Sequence, residues 1–331
     1  MAPHRWHLSA LLALFIVSQQ AVSINGVAYH TITVDQSGHG NFRTIQSAIN
    51  SIPSNNNRWI CVYVKAGIYR EKVVIPMDKP FIFLRGAGRK RTFIVWGDHL
   101  SISQSPTFSM LADNFVARGI SFMVIIKQLQ SSGVEKSESK EASGGCYDSW
   151  DKASFYKCSF YGVQDTLWDV EGRHYFKGCF IEGAVDFIFG AGQSIYEKCM
   201  ISVVGRALGP GIRGFITAQG RDSPKETNGF VFKECKVTGD GQAYLGRPWR
   251  VYSRVLFYKT EMPGIIVPAG WDPWNYSGNE QLLTYAEHDC YGAGADTSKR
   301  VSWEKRLSTS TVMGMTSLGY INAEGWLNGQ P

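Results

Sequence analysis

The sequence lacks the motifs of several common enzyme and metal-site classes. It has no Gly-x-Ser-x-Gly stretch, which argues against a serine hydrolase with that nucleophile turn. Its cysteines form no Cys-x-x-Cys pair, so zinc and dithiol redox sites have little support. Gly86-Ala87-Gly88 has no third glycine and runs into a basic tripeptide. We therefore interpret it as a turn between strands and not as a dinucleotide-binding loop.

Charge is also scarce, and it is not concentrated. Of the 331 residues only 19% are charged, whereas 44% are hydrophobic, enough for one large core. The formal net charge is +6, and the tightest basic run is Arg89-Lys90-Arg91. A nucleic-acid-binding protein usually carries a dense basic stripe, so we expect no nucleic-acid partner. Scattered positive charge suits attraction to an acidic polymer.

Apolar runs long enough to cross a membrane are missing. The N-terminal run from Leu8 to Val17 is far shorter than the roughly 20 residues that a bilayer requires. It follows His4, Arg5 and His7, and Ala21 and Ser23 place small residues at the two positions that a signal peptidase reads before a cleavage point after Ser23. This pattern predicts a signal peptide over residues 1–23 and an exported, soluble protein without a membrane partner. The alternative is an N-terminal core helix.

Export brings two further expectations about covalent chemistry. The cysteine count is seven, an odd number, so at least one thiol has no partner within the chain. Cys199 with Cys235 is the disulfide pairing that we favour. Asn275-Tyr276-Ser277 is an N-glycosylation sequon, which makes a glycoprotein the expectation.

After Thr31 the sequence alternates short β-type runs with Gly, Asn, Asp and Lys. One helix interrupts this pattern near the start. It is predicted after Gly40-Asn41, with its apolar face formed by Phe42, Ile45, Ala48 and Ile49, and it ends at Pro53. The predicted strands include residues 62–64, 73–75, 81–84 and 93–96.

A short pattern of an aromatic residue followed by cysteine recurs at residues 155–158, 175–179, 196–199 and 232–235. The steps from Cys158 to Cys179 and from Cys179 to Cys199 are nearly equal, whereas the step to Cys235 is much longer. A period of about 20 residues is typical of one coil of a β-solenoid, in which like residues stack on like. We therefore predict an all-β fold, a right-handed single-stranded parallel β-helix with a short N-terminal helix, as one domain over residues 24–331. The competing β-sandwich or jelly roll requires no such phase. The long last interval predicts an insertion loop at Arg206–Ile212.

Two aspartates stand in apolar surroundings at this same period. Asp165 follows Val163-Gln164, and Asp186 lies between Val185 and Phe187. Their separation along the chain equals the step from Cys158 to Cys179, which places them on adjacent rungs. Parallel strands lie about 4.8 Å apart. Two carboxylates at that separation have pKa values that are pushed apart, so one can be a nucleophile while the other holds a proton.

These stretches resemble a known family. Gly162–Leu167, Ile181–Gly190 and Leu245-Gly246-Arg247-Pro248-Trp249 are similar, in this order, to the signatures of plant-type pectinesterases. Further likeness lies in residues 40–46, 262–266, 268, 270–271, 274–275 and 326–327. The resemblance therefore runs from about Thr31 to the C-terminus, in the short form without a pro-region. It implies hydrolysis of the methyl esters of cell-wall pectin, outside the cell.

The resemblance also implies roles for single residues. Asp186 would attack the ester carbonyl, and Asp165 would protonate the departing methanol and then activate water. Arg247 would hold Asp186 ionised by lowering its pKa. Gln164 would donate to the oxyanion, and Trp249 would stack on a sugar ring. No metal or cofactor is required. The partners implied are pectin and a proteinaceous inhibitor, with the protein acting as a monomer.

One position departs from the family pattern. A second oxyanion glutamine is expected upstream of Asp165, at the position that Ala142 occupies here within a polar, charged stretch. Losing one oxyanion donor typically costs about 10²–10³ in turnover. This leaves open a second function, a weakly active or inactive pectin-binding relative. A lyase or glycosidase on the same solenoid is a third alternative, but the flanking motifs do not resemble those families.

Overall fold

The chain winds as a right-handed parallel β-helix. The structure is a computed structural model, and it describes residues 22–24, 26–97, 106–124 and 151–331. All strand pairings in these ranges are parallel except the pairing of the first two strands. This confirms the predicted solenoid, because a sandwich or jelly roll is built from antiparallel pairs.

The strands are, in chain order, β1 (Val22–Ile24), β2 (Val27–Val34), β3 (Ile60–Val64), β4 (Gly67–Arg70), β5 (Val73–Ile75), β6 (Ile82–Gly86), β7 (Thr92–Trp96), β8 (Phe108–Met110), β9 (Phe115–Arg118), β10 (Ser121–Val124), β11 (Ala153–Tyr156), β12 (Ser159–Tyr161), β13 (Leu167–Trp168), β14 (Arg173–Lys177), β15 (Phe180–Gly183), β16 (Val185–Gly190), β17 (Gln193–Glu197), β18 (Met200–Val204), β19 (Gly214–Gln219), β20 (Gly229–Lys233), β21 (Lys236–Asp240), β22 (Ala243–Pro248), β23 (Arg254–Tyr258) and β24 (Thr284–His288). The α-helices are α1 (Ile45–Asn50) and α2 (Thr309–Thr316). Short 3₁₀ helices span Gly205–Leu208, Trp274–Tyr276, Glu280–Leu282, Ala293–Ala295, Thr297–Lys299, Leu318–Tyr320 and Trp326–Gly329.

Four successive coils, from β11 to β22, each contribute one strand to each of three sheets. The long sheet has the order β1-β2-β3-β6-β9-β11-β14-β17-β20-β23-β24. The second sheet has the order β21-β18-β15-β12-β10-β7-β4, and the third has the order β13-β16-β19-β22. A further small sheet pairs β5 with β8. Side chains that point inward from all faces form one continuous apolar core.

The recurring aromatic–cysteine pattern marks the corner between the long sheet and the second sheet. The residue before each cysteine has a positive φ, as at Lys157 (51°), Gly178 (62°), Lys198 (53°) and Glu234 (53°). This left-handed residue turns the chain sharply enough to start the next strand. The aromatic residues three positions before the cysteines stack inside the core, with ring centroids 4.9 Å apart for Phe155–Phe176 and 4.6 Å apart for Phe176–Tyr196.

The favoured disulfide between Cys199 and Cys235 is wrong. Both are free thiols, as are the other cysteines of the described ranges; Cys146 lies outside those ranges. The Cys199 thiol instead lies 3.4 Å from the carbonyl oxygen of Phe176, and the Cys235 thiol lies 3.1 Å from that of Tyr196. The cysteines therefore form a column of buried thiols that donate to the backbone of the preceding coil. Burial raises the pKa of Cys158 and of Cys199 above the ordinary value, which keeps these thiols protonated.

The other local predictions are confirmed with adjusted bounds. The N-terminal helix begins at Ile45, after the Thr44 cap, and it buries Ile45, Ala48 and Ile49. Gly86 is the last residue of β6, and Ala87-Gly88 lies in the connection between β6 and β7. The expected insertion lies between β18 and β19, but a second insertion of similar length, 220–228, separates β19 from β20. The long interval from Cys199 to Cys235 is therefore shared between two loops.

The outer face of the long sheet is covered by the C-terminal segment. From α2, Val312 and Met315 pack on outward-facing residues of that sheet, including Ile195 and Val231. Further along, the Gln330 side chain accepts a hydrogen bond from Ser154 Oγ at 2.6 Å, and the Gly329 carbonyl accepts one from Trp59 Nε1 at 2.8 Å. The C-terminal residues thus close one face of the solenoid and leave the third sheet uncovered by them.

A buried polar cluster links the third sheet to the long sheet. Asp169, only 2% exposed, lies directly after β13, and its Oδ1 is 2.5 Å from His174 Nδ1. Its Oδ2 accepts a hydrogen bond from the Tyr196 hydroxyl at 2.6 Å. Buried polar groups need hydrogen-bond partners, so these contacts of the Asp169 carboxylate stabilise the corner that connects β13 to β14.

Replacing Asp169 with alanine should lower the free energy of unfolding by about 3 kcal/mol, because it leaves two buried polar groups, the His174 ring and the Tyr196 hydroxyl, without their hydrogen-bond partner. Urea denaturation with constant m-value measures this loss. Tyr196→Phe is the control, because it removes only one hydroxyl and should cost about 1 kcal/mol. Equal stability of Asp169→Ala and wild type would show that the cluster does not hold this corner.

Candidate active site

The third sheet brings Asp165 and Asp186 side by side. Gln164 forms a parallel bridge with Val185, and the Asp165 amide donates to the Val185 carbonyl at 3.1 Å. Beyond the pair, Leu167 aligns with Ile188 and Trp168 with Phe189. The two aspartates therefore occupy equivalent positions on adjacent rungs, as their spacing in the sequence predicts.

The backbone at both aspartates is irregular in a way that directs their side chains. Their φ angles are positive, 54° at Asp165 and 49° at Asp186. Asp186 also lies in a β-bulge, because Asp186 and Phe187 together face only Ile216 of β19. Gly183 makes room for this bulge, since a Cβ there would lie 2.2 Å from that of Phe187. Such strain is concentrated at functional sites, where it re-aims a side chain.

Arg247 holds the Asp186 carboxylate by both of its oxygens. Nε of Arg247 donates to Oδ1 at 2.9 Å, and Nη2 donates to Oδ2 at 2.6 Å. The guanidinium is itself held between two rings, with its Cζ 4.2 Å from the ring centroid of Phe215 and 4.2 Å from that of Trp274. Stacking and the bidentate pair together fix the orientation of the guanidinium plane.

The two carboxyl groups differ in their protonation state. Burial and the neighbouring Asp186 raise the pKa of Asp165 to about 7, against a smaller lowering by Arg247 and Gln164. Burial also raises the pKa of Asp186, and Arg247 opposes that rise without cancelling it. The expected net lowering of the pKa of Asp186 is therefore wrong, because this residue is only 8% exposed. Since Asp186 alone is paired with the guanidinium on both oxygens, we place the negative charge there and the proton on Asp165.

The remaining sequence-predicted residues lie beside this pair. Gln164 directly precedes Asp165 and forms the bridge to Val185. Trp249 follows Arg247 by two residues, is half-buried, and meets Phe189 edge-to-face with ring centroids 5.8 Å apart. The structure thus brings together Gln164, Asp165, Asp186, Arg247 and Trp249. Ala142 lies outside the described residues.

Three aromatic residues of the site were missed by the sequence analysis. Trp168 is 36% exposed and stacks on Phe189, with ring centroids 5.4 Å apart. Phe215 and Trp274 are the rings that enclose Arg247. The sequence offered a signal for Trp168, because this residue follows Asp165 by only three positions and lies on the next strand, β13. Phe215 has no such signal, since its contact with Arg247 joins two different coils.

The described residues also bear on metal binding and on membrane spanning. Within the ranges that the structure describes, no group of His, Cys, Asp and Glu side chains is placed to hold a metal ion. The same ranges contain no helix with the length and apolarity needed to span a membrane.

Replacing Arg247 with lysine should lower kcat/KM for the ester hydrolysis that the resemblance implies by about 10- to 100-fold. Lysine keeps the charge, but it loses both the paired hydrogen bonds of the guanidinium and its stacking on the two rings. Initial-rate measurements on esterified pectin test this. Arg206→Lys is a matched control, since Arg206 is 86% exposed and pairs only loosely with Asp240 at 3.4 Å. Wild-type kinetics in Arg247→Lys would mean that a point charge is sufficient beside Asp186.

Comparison with known proteins identifies the family of this chain. The Pectinesterase family profile matches residues 31–324. Two Arabidopsis thaliana proteins, "Probable pectinesterase 29" and "Probable pectinesterase 55", are 51% identical over 306 residues and 52% identical over 300 residues, covering 92% and 91% of this chain and 91% of each relative. The solved pectin methylesterase from carrot superposes with a TM-score of 0.78 at 29% identity, over 91% of this chain and 96% of the carrot chain. This chain belongs to the pectinesterase family.

Proposed function

We propose that this protein hydrolyses the methyl esters of homogalacturonan, the pectin of plant cell walls, and releases methanol and free carboxylates. Family membership gives the reaction class. The observation that carries the proposal for this chain is the pair of carboxyl groups on adjacent rungs, one held by Arg247 and one with a pKa of about 7. This is the arrangement that a nucleophile and a general acid require at neutral pH.

In the first half of the reaction, an Asp186 oxygen attacks the carbonyl carbon of the methyl ester. The carbonyl electrons move onto oxygen, and we propose that the Gln164 side chain donates to that oxyanion. As the bond to the methoxy oxygen breaks, Asp165 gives its proton to this oxygen and methanol leaves. The galacturonyl group is then bound to Asp186 as an acyl-enzyme.

In the second half, Asp165 is ionised and takes a proton from water. The resulting hydroxide attacks the galacturonyl carbonyl, the bond to Asp186 breaks, and the free galacturonate leaves. Asp165 ends protonated and Asp186 ends as the carboxylate paired with Arg247, so the cycle is closed. The net reaction consumes one water and one ester and yields one methanol and one acid.

Aromatic rings flank the reacting pair and suit a sugar polymer. Trp168, Phe189 and Trp249 form contiguous ring contacts on one side of the aspartates. The apolar faces of sugar rings pack on such surfaces, and we propose Trp249 as the main stacking residue. Backbone positioning by the solenoid keeps these rings and the aspartates in a fixed relation.

The test is methanol release from highly methyl-esterified pectin by the purified protein. Continuous release with matching acidification of the medium supports the proposal. A protein that binds pectin without releasing methanol would instead be a binding relative, which is the alternative that Ala142 leaves open.

We also propose that the protein is exported to the cell wall as a monomeric glycoprotein. Residues 1–23 would be removed as a signal peptide, which leaves the β-helix from β2 onward complete; only Val22 and Ser23 of the β1–β2 pairing would be lost. A proteinaceous inhibitor would have to cover the third sheet to block Asp186. N-terminal sequencing, glycosidase treatment and size-exclusion chromatography of secreted protein test these expectations.

A further inference from the structure

A loop with a basic tripeptide lies on the corner between the long sheet and the second sheet. In the described coils, the other connections between these two sheets have two residues each, whereas the connection from β6 to β7 has five, 87–91. It contains Arg89-Lys90-Arg91, the tightest basic run of the sequence, to which the proposed reaction gives no role. Each coil passes from the long sheet to the second sheet and then to the third. This corner is therefore on the side of the solenoid opposite the third sheet, where Asp165 and Asp186 lie.

Hydrogen bonds hold this loop against the corners of the next coils. The Gly88 amide donates to the Gly119 carbonyl at 3.1 Å, and the Ser121 hydroxyl donates to the Arg89 carbonyl. The Arg89 side chain then extends along the corner, where its Nη1 donates to the Gly178 carbonyl at 3.0 Å. Gly178 follows β14, which lies three strands beyond β6 in the long sheet. The Arg89 guanidinium therefore has a fixed place on the corner.

Lys157 brings a second positive charge to the same point. It is the left-handed residue between β11 and β12, with a φ of 51°, and it is exposed. A Cβ at Gly178 would lie 3.8 Å from Lys157 Cγ, so the lysine stem runs beside the residue whose carbonyl binds Arg89. Four cations, which we call the basic corner, have no carboxylate of the described residues within ion-pair distance: Arg89, Lys90, Arg91 and Lys157.

Further along the same edge, lysines have carboxylate partners. Lys198 occupies the position of Lys157 two strands on, with a similar φ of 53°, and its Nζ lies 3.5 Å from Glu234 Oε2. Lys236 Nζ lies 2.8 Å from Glu261 Oε1. At the basic corner, by contrast, the described part of the chain leaves converging positive charges uncompensated. An anion from outside would relieve their mutual repulsion.

Arginines and aromatic rings continue this surface onto the outer face of the long sheet. Arg85 pairs in register with Arg118, and Arg118 pairs with Tyr156, which directly precedes Lys157. Arg85 Cζ lies 5.5 Å from the ring centroid of Tyr63, and Arg118 Cζ lies 5.3 Å from that of Tyr156. The groups follow one another along the solenoid axis at the strand spacing of about 4.8 Å. An extended polymer that carries both carboxylates and apolar ring faces suits such a surface.

We propose that the basic corner, with the adjoining column of Arg85 and Arg118, binds a run of free galacturonate units in de-esterified homogalacturonan. The choice of ligand rests on the proposed function, which leaves one carboxylate on each hydrolysed unit. Because the corner and the third sheet lie on opposite sides, the protein holds its product polymer while the catalytic pair stays open to another segment. Holding the polymer raises the effective concentration of the remaining esters near that pair.

The test is binding of the purified protein to immobilised, unesterified polygalacturonate at low ionic strength. The double variant Arg89→Gln/Lys157→Gln should bind about tenfold more weakly than wild type, the combined loss of two exposed charge contacts. Its affinity should also depend less steeply on salt. Lys157→Gln alone leaves the hydrogen bonds of the loop intact and should bind about threefold more weakly. Lys198→Gln is the matched control, since it makes the same change at the equivalent corner position and should keep wild-type affinity.

Catalysis provides the second readout. Methanol release from methyl-esterified oligogalacturonates too short to reach both surfaces should proceed with wild-type kcat/KM in the double variant. Unchanged polygalacturonate affinity in the double variant, or an equal loss in Lys198→Gln, overturns the inference while methanol release by wild type still stands. Equally tight binding of double-stranded DNA that the double variant also loses overturns the assignment to a polysaccharide. A wild type that binds polygalacturonate through Arg89 and Lys157 but releases no methanol contradicts the proposed function and keeps the binding site.

Discussion

Replacing Asp186 with asparagine should reduce methanol release from esterified pectin by roughly 10⁵-fold, the order of loss that follows removal of a covalent nucleophile. The amide cannot form the acyl-enzyme, and it cannot accept both N–H groups of Arg247 as a carboxylate does. Asparagine tolerates the positive φ of 49° at this position, so the bulge should persist. The loss should appear in kcat, measured by initial rates at saturating pectin.

Asp289 provides a matched control for this substitution. It is an exposed aspartate with a φ of 53°, at the corner before Cys290 and away from the third sheet. Asp289→Asn makes the same chemical change in the same backbone conformation, and it should keep wild-type turnover. If Asp186→Asn retained more than about a hundredth of wild-type activity, Asp186 would not be the nucleophile.

Replacing Asp165 with asparagine should lower kcat by about 10³- to 10⁴-fold, at the upper end of the range for a general acid–base group. The loss is smaller than at Asp186 because the nucleophile remains. Wild-type kcat/KM should fall above about pH 7, where the free enzyme's Asp165 becomes ionised and has no proton to give to methanol. Profiles of kcat/KM against pH for both proteins check this, and the alkaline limb that Asp165 causes should vanish in the variant.

Stability provides an independent readout at the same position. The folded-state pKa of Asp165 lies above the ordinary value of 3.8, at about 7. As pH rises from 3.8 the unfolded chain ionises first, so the contribution of Asp165 to stability is lost progressively until about pH 7. Asp165→Asn should therefore melt at a higher temperature than wild type at about pH 8 and gain nothing from this source below pH 3.8. A variant that is both inactive and less stable under those alkaline conditions would point to misfolding instead.

The repeat explains why so much of this fold could be predicted. In a solenoid, residues one coil apart become neighbours, so the interval between two residues in the sequence predicts whether they lie side by side in the structure. The interval from Asp165 to Asp186 is equal to that from Cys158 to Cys179, and both pairs align on adjacent rungs. The contact between Arg247 and Asp186 could be predicted only from the family resemblance, because two long loops in the sequence separate the coil of Arg247 from that of Asp186.

The rest depended on contacts that carry no sequence period. Phe215 contacts Arg247 from a different coil, and Trp274 contacts it from a loop. No regular spacing in the sequence therefore predicts that these two rings enclose the guanidinium. The net rise in the pKa of Asp186 reflects how deeply the bulge buries this side chain, which a motif does not reveal. The predicted Cys199–Cys235 bond failed for a related reason. Register alone cannot tell whether stacked thiols bond to each other or donate to the backbone carbonyls of the preceding coil.

The most direct test of the account is a crystal structure of Asp186→Asn with a methyl-esterified galacturonate oligomer bound. We expect the ester carbonyl carbon about 3–3.5 Å from the side-chain oxygen of the asparagine that replaces Asp186. We also expect the methoxy oxygen within about 2.6–3.2 Å of an Asp165 oxygen. An oligomer that lies on another sheet, or whose ester points away from both residues, would contradict the mechanism.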